Sequence, residues 1–226
     1  MSSGRPAGVV VLLTGLLGLG LLASASRSDE PPPAPNGIAH VAESSSRSPA
    51  PRAGTPSAAR SHAGIDDLVT GPVLPQADPV SVAIPRLGIA SQLVPLGIDA
   101  QGAMEVPKDP ADAGWYRLGP PPGALGPAVI AGHVTWNQVP GVFFRLAAVR
   151  SGDLVEVARD DGWTAVFEVT QVRLYDKTEF PTGAVFGPVD HAALRLITCG
   201  GEYEPSAHRY LGNVVVFARL RSSHRS

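Results

Sequence analysis

Residues 193–201 read Ala193-Leu194-Arg195-Leu196-Ile197-Thr198-Cys199-Gly200-Gly201, a mostly apolar run halted by a glycine pair. Strand-forming side chains bounded by turn-tolerant residues predict a strand whose last side chain is Cys199. A strand that stops at adjacent glycines offers that side chain at the rim of a sheet, where another backbone can approach closely. Cys199 is the only cysteine in 226 residues. No intramolecular disulfide is available, so packing alone must hold the fold.

Outward from this run, Val80, Val82 and Ile84 alternate with smaller residues, the pattern of a half-buried strand. Further strands are expected at 93–98, 126–134, 154–158, 164–174 and 213–220. Asp161-Gly162 supplies a hairpin turn, because Gly accepts positive φ. Residues 141–149 are the one helical piece expected in this half. Many short strands broken by Gly and Pro predict an all-β domain, a barrel or a sandwich. The three Trp, four Tyr and six Phe all lie at or after Trp115, so the packed core belongs to the C-terminal part.

The opposite end is different in kind. Arg5 and Arg27 bracket an uncharged stretch, Pro6–Ser26. As a helix it spans about 32 Å at ~1.5 Å per residue, enough to cross a bilayer. Ala23-Ser24-Ala25 also fits a signal-peptide cleavage site, so anchor and cleaved signal both stay open. Either route predicts export of the remainder. Residues 27–75 hold nine prolines among Ser, Ala and Gly, a composition too poor in apolar groups to fold alone. The expected plan is an anchor or signal at 1–26, a flexible linker at 27–75, a packed domain at 76–221 and a polar tail at 222–226. A net charge of −2 without a basic stripe gives no electrostatic basis for nucleic-acid binding.

An unpaired thiol outside the cytoplasm risks oxidation, which favours a chemical role for Cys199 over that of a small buried hydrophobe. A nucleophilic thiol needs a proton-handling partner and a stabiliser for the oxyanion. His40 and His62 fall in the linker and His224 in the tail. His191 and His208 lie in polar turns. That leaves His133, at the end of the strand expected over 126–134. Arg209 stands ten residues after Cys199, before the last strand, and its guanidinium is always charged. Taken singly, a strand-end His is more often a structural residue and a strand-edge Arg more often a surface charge.

The order Ala131-Gly132-His133, then Leu196-Ile197-Thr198-Cys199, then an Arg before the Val-rich strand resembles the sortases, cysteine transpeptidases. More narrowly it is similar to the class F sortases of high-GC Gram-positive bacteria. The stretches that carry this are Glu105–Asp109, Gly114–Tyr116, Gly152-Asp153, Lys177–Thr182, Leu196–Gly201 and Asn213–Ala218. The resemblance implies a closed eight-stranded β-barrel with one or two short helices and no cofactor or metal. It implies Cys199 as the nucleophile that forms a thioacyl enzyme, and His133 as the general acid and base. Arg209 would stabilise the oxyanion and the substrate, although Asn213 falls near where a strict alignment of the last strand places Arg. Thr198, Gly132, Gly200, Gly201 and Trp136 are expected along the substrate groove. The implied partners are secreted proteins bearing an LPXTG-like sorting motif and an amine of a cell-wall precursor. Two rivals remain, a cysteine protease hydrolysing the same motif and a non-catalytic wall-binding module.

Overall fold

The computed structural model describes Pro33 and residues 69–226. The anchor or signal expected at 1–26, and the linker apart from Pro33 and its last few residues, lie outside the described residues. Among the described residues no helix is long and apolar enough to cross a membrane.

The strands are β1 (Pro79–Ile84), β2 (Ile89–Leu96), β3 (Ala113–Tyr116), β4 (Gly126–Gly132), β5 (Thr135–Trp136), β6 (Val139–Pro140), β7 (Leu154–Arg159), β8 (Trp163–Asp176), β9 (Ala192–Glu204) and β10 (Arg209–Arg225). Eight of them close a barrel in the order β1-β2-β3-β4-β9-β10-β8-β7, while β5 and β6 form a small separate hairpin. β4 runs parallel to β9, and β10 antiparallel to it. The closed eight-stranded architecture is the one expected.

The period-two alternation of a strand divides its side chains between two faces. Leu194 and Leu196 of β9, Ala128 and Ile130 of β4 and Val216 of β10 join the inner core with Phe143 and Phe167. Each such buried side chain contributes roughly 1.5–3 kcal/mol. The opposite face carries Val129, Ile197 and Val215, and these too are buried, under Val185 of the single helix α1 (Thr182–Phe186) with Phe180 and Phe186. Burial on both faces explains why 193–198 reads as a continuous apolar run and not as an alternation.

Three expectations are corrected. Residues 141–149 are not a helix beyond a 3-10 turn at Leu146–Ala148. Their amides are used elsewhere: Gly141 N–H donates to Val134 O, Val142 to Pro110 O and Phe143 to His133 O. The amides that follow close i→i−3 bonds instead of i→i−4, Phe144 to Gly141, Leu146 to Phe143, Ala148 to Arg145 and Val149 to Leu146, so the segment is a series of tight turns. Residues 222–225, expected in a tail, extend β10 and pair with 163–166 of β8. Cys199 is not the last residue of its strand, because β9 runs on to Glu204. Gly201, at φ +78°, takes up a register shift opposite Tyr210–Gly212 and lets the ladder continue past the glycines.

The pole of the barrel where β1 begins is stapled by Arg159, 3% exposed. Its guanidinium donates to Pro122 O at 2.8 Å and Pro75 O at 2.7 Å, and pairs with Asp161 at 2.7 Å. The Arg159 hydrogen bond holds the Asp161 carboxyl below its ordinary range. Its stabilising effect is present near neutrality and is lost as pH falls through the lowered value. Arg159→Ala leaves the buried Pro122 carbonyl and the part-buried Pro75 carbonyl without this donor and is expected to destabilise the fold by about 2 kcal/mol, read as a lower urea midpoint at unchanged slope. A shift below about 0.5 kcal/mol would show that water replaces the guanidinium freely.

Candidate active site

Three strands bring three side chains into one row on the outer face. Cys199 of β9 stands directly opposite Asn213 of β10, and Asn213 opposite Tyr175 of β8. Directly opposed residues share a face. On the other side of β9, the parallel register with β4 ends at the pair Ala131 and Ile197. Past it, Thr198 Oγ1 donates to Gly132 O at 2.8 Å. The row therefore reads Cys199, Asn213, Tyr175 across β9, β10 and β8, and His133 follows the last residue of β4, one position beyond the glycine held to Thr198.

Cys199 is half-buried and borders a cavity of about 110 Å³ at the barrel mouth, whose lining includes Thr198, Leu174, Val214 and Pro33. The thiol is thus neither sealed in the core nor loose on the surface. Lys177, in the 3-10 turn Lys177–Glu179 after β8, donates from Nζ to Cys199 Sγ at 3.5 Å. No hydrogen bond joins Sγ to the His133 ring in this resting arrangement. The ring is held by its far edge, with Nε2 2.7 Å from Pro107 O. A carbonyl only accepts, so Nε2 carries the proton of the neutral ring and Nδ1 is the nitrogen free to gain one. Trp136 of β5 packs edge-to-face on the imidazole, with centroids 5.0 Å apart. The sequence reading placed Trp136 along the groove; its ring, 48% exposed, lies against the His133 imidazole.

The remaining expected site residues divide. Thr198 points inward and secures β4 to β9. Gly200 and Gly201 line the cavity beside Cys199, while the missing side chains of Gly132 and Gly200 make room for the protein itself. An added Cβ would stand 2.6 Å from Val142 Cγ1 at Gly132 and 2.7 Å from Val214 Cγ2 at Gly200. Gly201 is exposed, and its left-handed backbone serves the register shift. Arg209 is not brought to Cys199. It pairs with Glu204 near the tip of the β9–β10 hairpin, Nε to Oε2 at 2.9 Å, with its side chain 63% exposed. Four residues separate it from Asn213, about 13 Å of strand. Pro107 and Lys177 were not singled out as site residues, since only the folded chain places them at the His and the Cys.

A model of the sortase domain matches residues 82–221, well over half of the chain. The chain belongs to the sortase family. Sortases are cysteine transpeptidases, and Cys199 is the only cysteine this sortase has. The solved structures agree in fold. Sortase A of Listeria monocytogenes superposes with a TM-score of 0.51 at 20% identity, over 67% of this chain and 92% of that one. The sortase of Actinomyces oris gives 0.51 at 20% identity, over 67% and 84%. A lid mutant of sortase A from Corynebacterium diphtheriae gives 0.50 at 19%, over 63% and 69%. No curated protein matches the sequence.

Proposed function

We propose that this sortase, of the class F kind, cleaves an LPXTG-like sorting motif of secreted proteins. Cys199 forms the thioacyl enzyme, which an amine of a cell-wall precursor resolves. The observation that supports this reading is that β4 and β9 run parallel in register up to Ala131 and Ile197, two residues short of His133 and the half-buried Cys199. Attack by the Cys199 thiolate on the scissile carbonyl breaks the C–N bond. His133, protonated at Nδ1, gives its proton to the departing amine. It takes one back from the incoming amine as the acyl group leaves sulfur.

A further cavity of about 470 Å³ lies on the same outer face, lined by Met104, Tyr116, Val129, Thr182 and Phe186 among others. From Val129 to His133 along β4 is about 13 Å, the span of roughly four extended residues. We assign this path to the motif, its leading apolar residue in the cavity and its scissile bond at Cys199. Arg209, on this reading, leaves Glu204 to hydrogen-bond the bound peptide. Arg209→Ala is therefore expected to raise KM about tenfold with the fold intact; a change in kcat alone would remove that role. The uncharged stretch 6–26 supports a single-pass membrane anchor with the catalytic domain on the extracellular face.

The test is intact-mass analysis of the full chain with a panel of sorting peptides, with and without amine. A thioacyl adduct on Cys199 and an amide product are expected. Free acid as the sole product would establish the protease alternative, and no adduct with any peptide would defeat the acyl-transfer reading.

A further inference from the structure

We propose that Lys177 is the charge partner of the Cys199 thiolate, holding it in the free enzyme before any substrate arrives. The proposal rests on the acyl-transfer reading of the same site. Lys177 Nζ lies 3.5 Å from Cys199 Sγ and forms no ion pair among the described residues. Its charge is thus available to the sulfur. Arg209, farther along the hairpin, is spent on Glu204 at 2.9 Å. Asn213, directly across from the thiol, offers a neutral amide and no charge.

The groups that face the sulfur can be taken element by element. The end of β4 brings His133, with Lys108 next to the Pro107 that anchors its ring. β8 brings Tyr175 and Asp176. The β9–β10 hairpin brings Glu202 and the Glu204–Arg209 pair. The turn that carries Lys177 also carries Glu179. The cation in hydrogen-bond contact with Sγ is Lys177. When the thiol ionises, its proton is lost to water, while Lys177 keeps its own and forms no covalent bond. An ammonium at this distance is attracted more strongly to an ionised sulfur than to a neutral thiol. Stabilising a thiolate also makes it a weaker nucleophile, which returns part of that gain.

Those two effects have opposite pH dependence, and their combination is a signature that loss of packing does not imitate. The alkylation rate of Cys199 by iodoacetamide is read across pH 6–10 on the full chain, by mass, for wild type, Lys177→Met, Lys177→Arg and Arg221→Gln. Because the chain has a single cysteine, every added carbamidomethyl group reports on this thiol. Lys177→Met is expected to react about fivefold more slowly at pH 7 and equally fast or faster at pH 10, so that the two profiles cross. Lys177→Arg should stay within about twofold of wild type at pH 7. Arg221→Gln, an exposed charge removed at the far pole, should superpose on it. Lys177→Met profiles that run parallel to wild type at every pH would overturn the proposal. So would recovery of the sorting peptide as a stable amide on Lys177, which requires a neutral, nucleophilic amine. Alkylation needs no peptide, so a crossing without any thioacyl adduct would uphold Lys177 and sink the acyl-transfer reading instead.

Discussion

Cys199→Ser is expected to lower the acyl-transfer rate about 10⁴-fold, close to 5.5 kcal/mol of transition-state stabilisation. A serine hydroxyl lacks the ionised population that makes a thiol reactive near neutrality, and no base among its neighbours makes a direct hydrogen bond to it. No second cysteine can substitute, so the adduct seen by mass should vanish with the rate. The half-buried side chain loses little packing on this change, and thermal stability should move by less than about 0.5 kcal/mol. Retention of more than a tenth of the activity would show that the reaction does not pass through this sulfur.

His133→Ala is the second large effect, a loss of about 10³-fold in kcat. Part of the change is structural, because the ring is held by Pro107 O and covered by Trp136. His133→Gln separates the two. Its side-chain amide can still donate to Pro107 O, yet it cannot carry a proton to the leaving amine. The wild-type rate should rise and then fall across pH 5–10, since the thiolate and the imidazolium are both required. The residual rate of His133→Gln should instead climb steadily with pH as the thiolate alone accumulates. A maximum that survives in the glutamine variant would assign the acid to another group.

The barrel was legible because its strands announce themselves by side-chain type and turn residues. The run at 193–199 is apolar on both faces and could be read without any knowledge of its neighbours. The row across β9, β10 and β8 was only partly legible. Its members are 175, 199 and 213, and its place beside the end of β4, where His133 follows, depends on a parallel register between strands far apart in the chain, which no local pattern encodes. His133 could be singled out because a polar group interrupts an apolar strand. Lys177 and Pro107 carry no such signal. Arg209 shows the limit from the other side. Counting alternate residues from 213 gave it the right face, but the hairpin carried it well beyond the sulfur and gave it Glu204. The segment 141–149 has helix-like apolar spacing, and long-range backbone hydrogen bonds overrode it.

The strand directions fix one more relation. β1 starts and β10 ends at the pole where β4 and β9 begin, and residues 70 and 74 are tied to that same pole by hydrogen bonds to Asp190 and Gly123. The thiol and the imidazole stand near the other pole, some 20 Å up the staves. The backbone at Thr70 and Leu74 is thus fastened to the floor of the vessel, and the sulfur stands toward its brim.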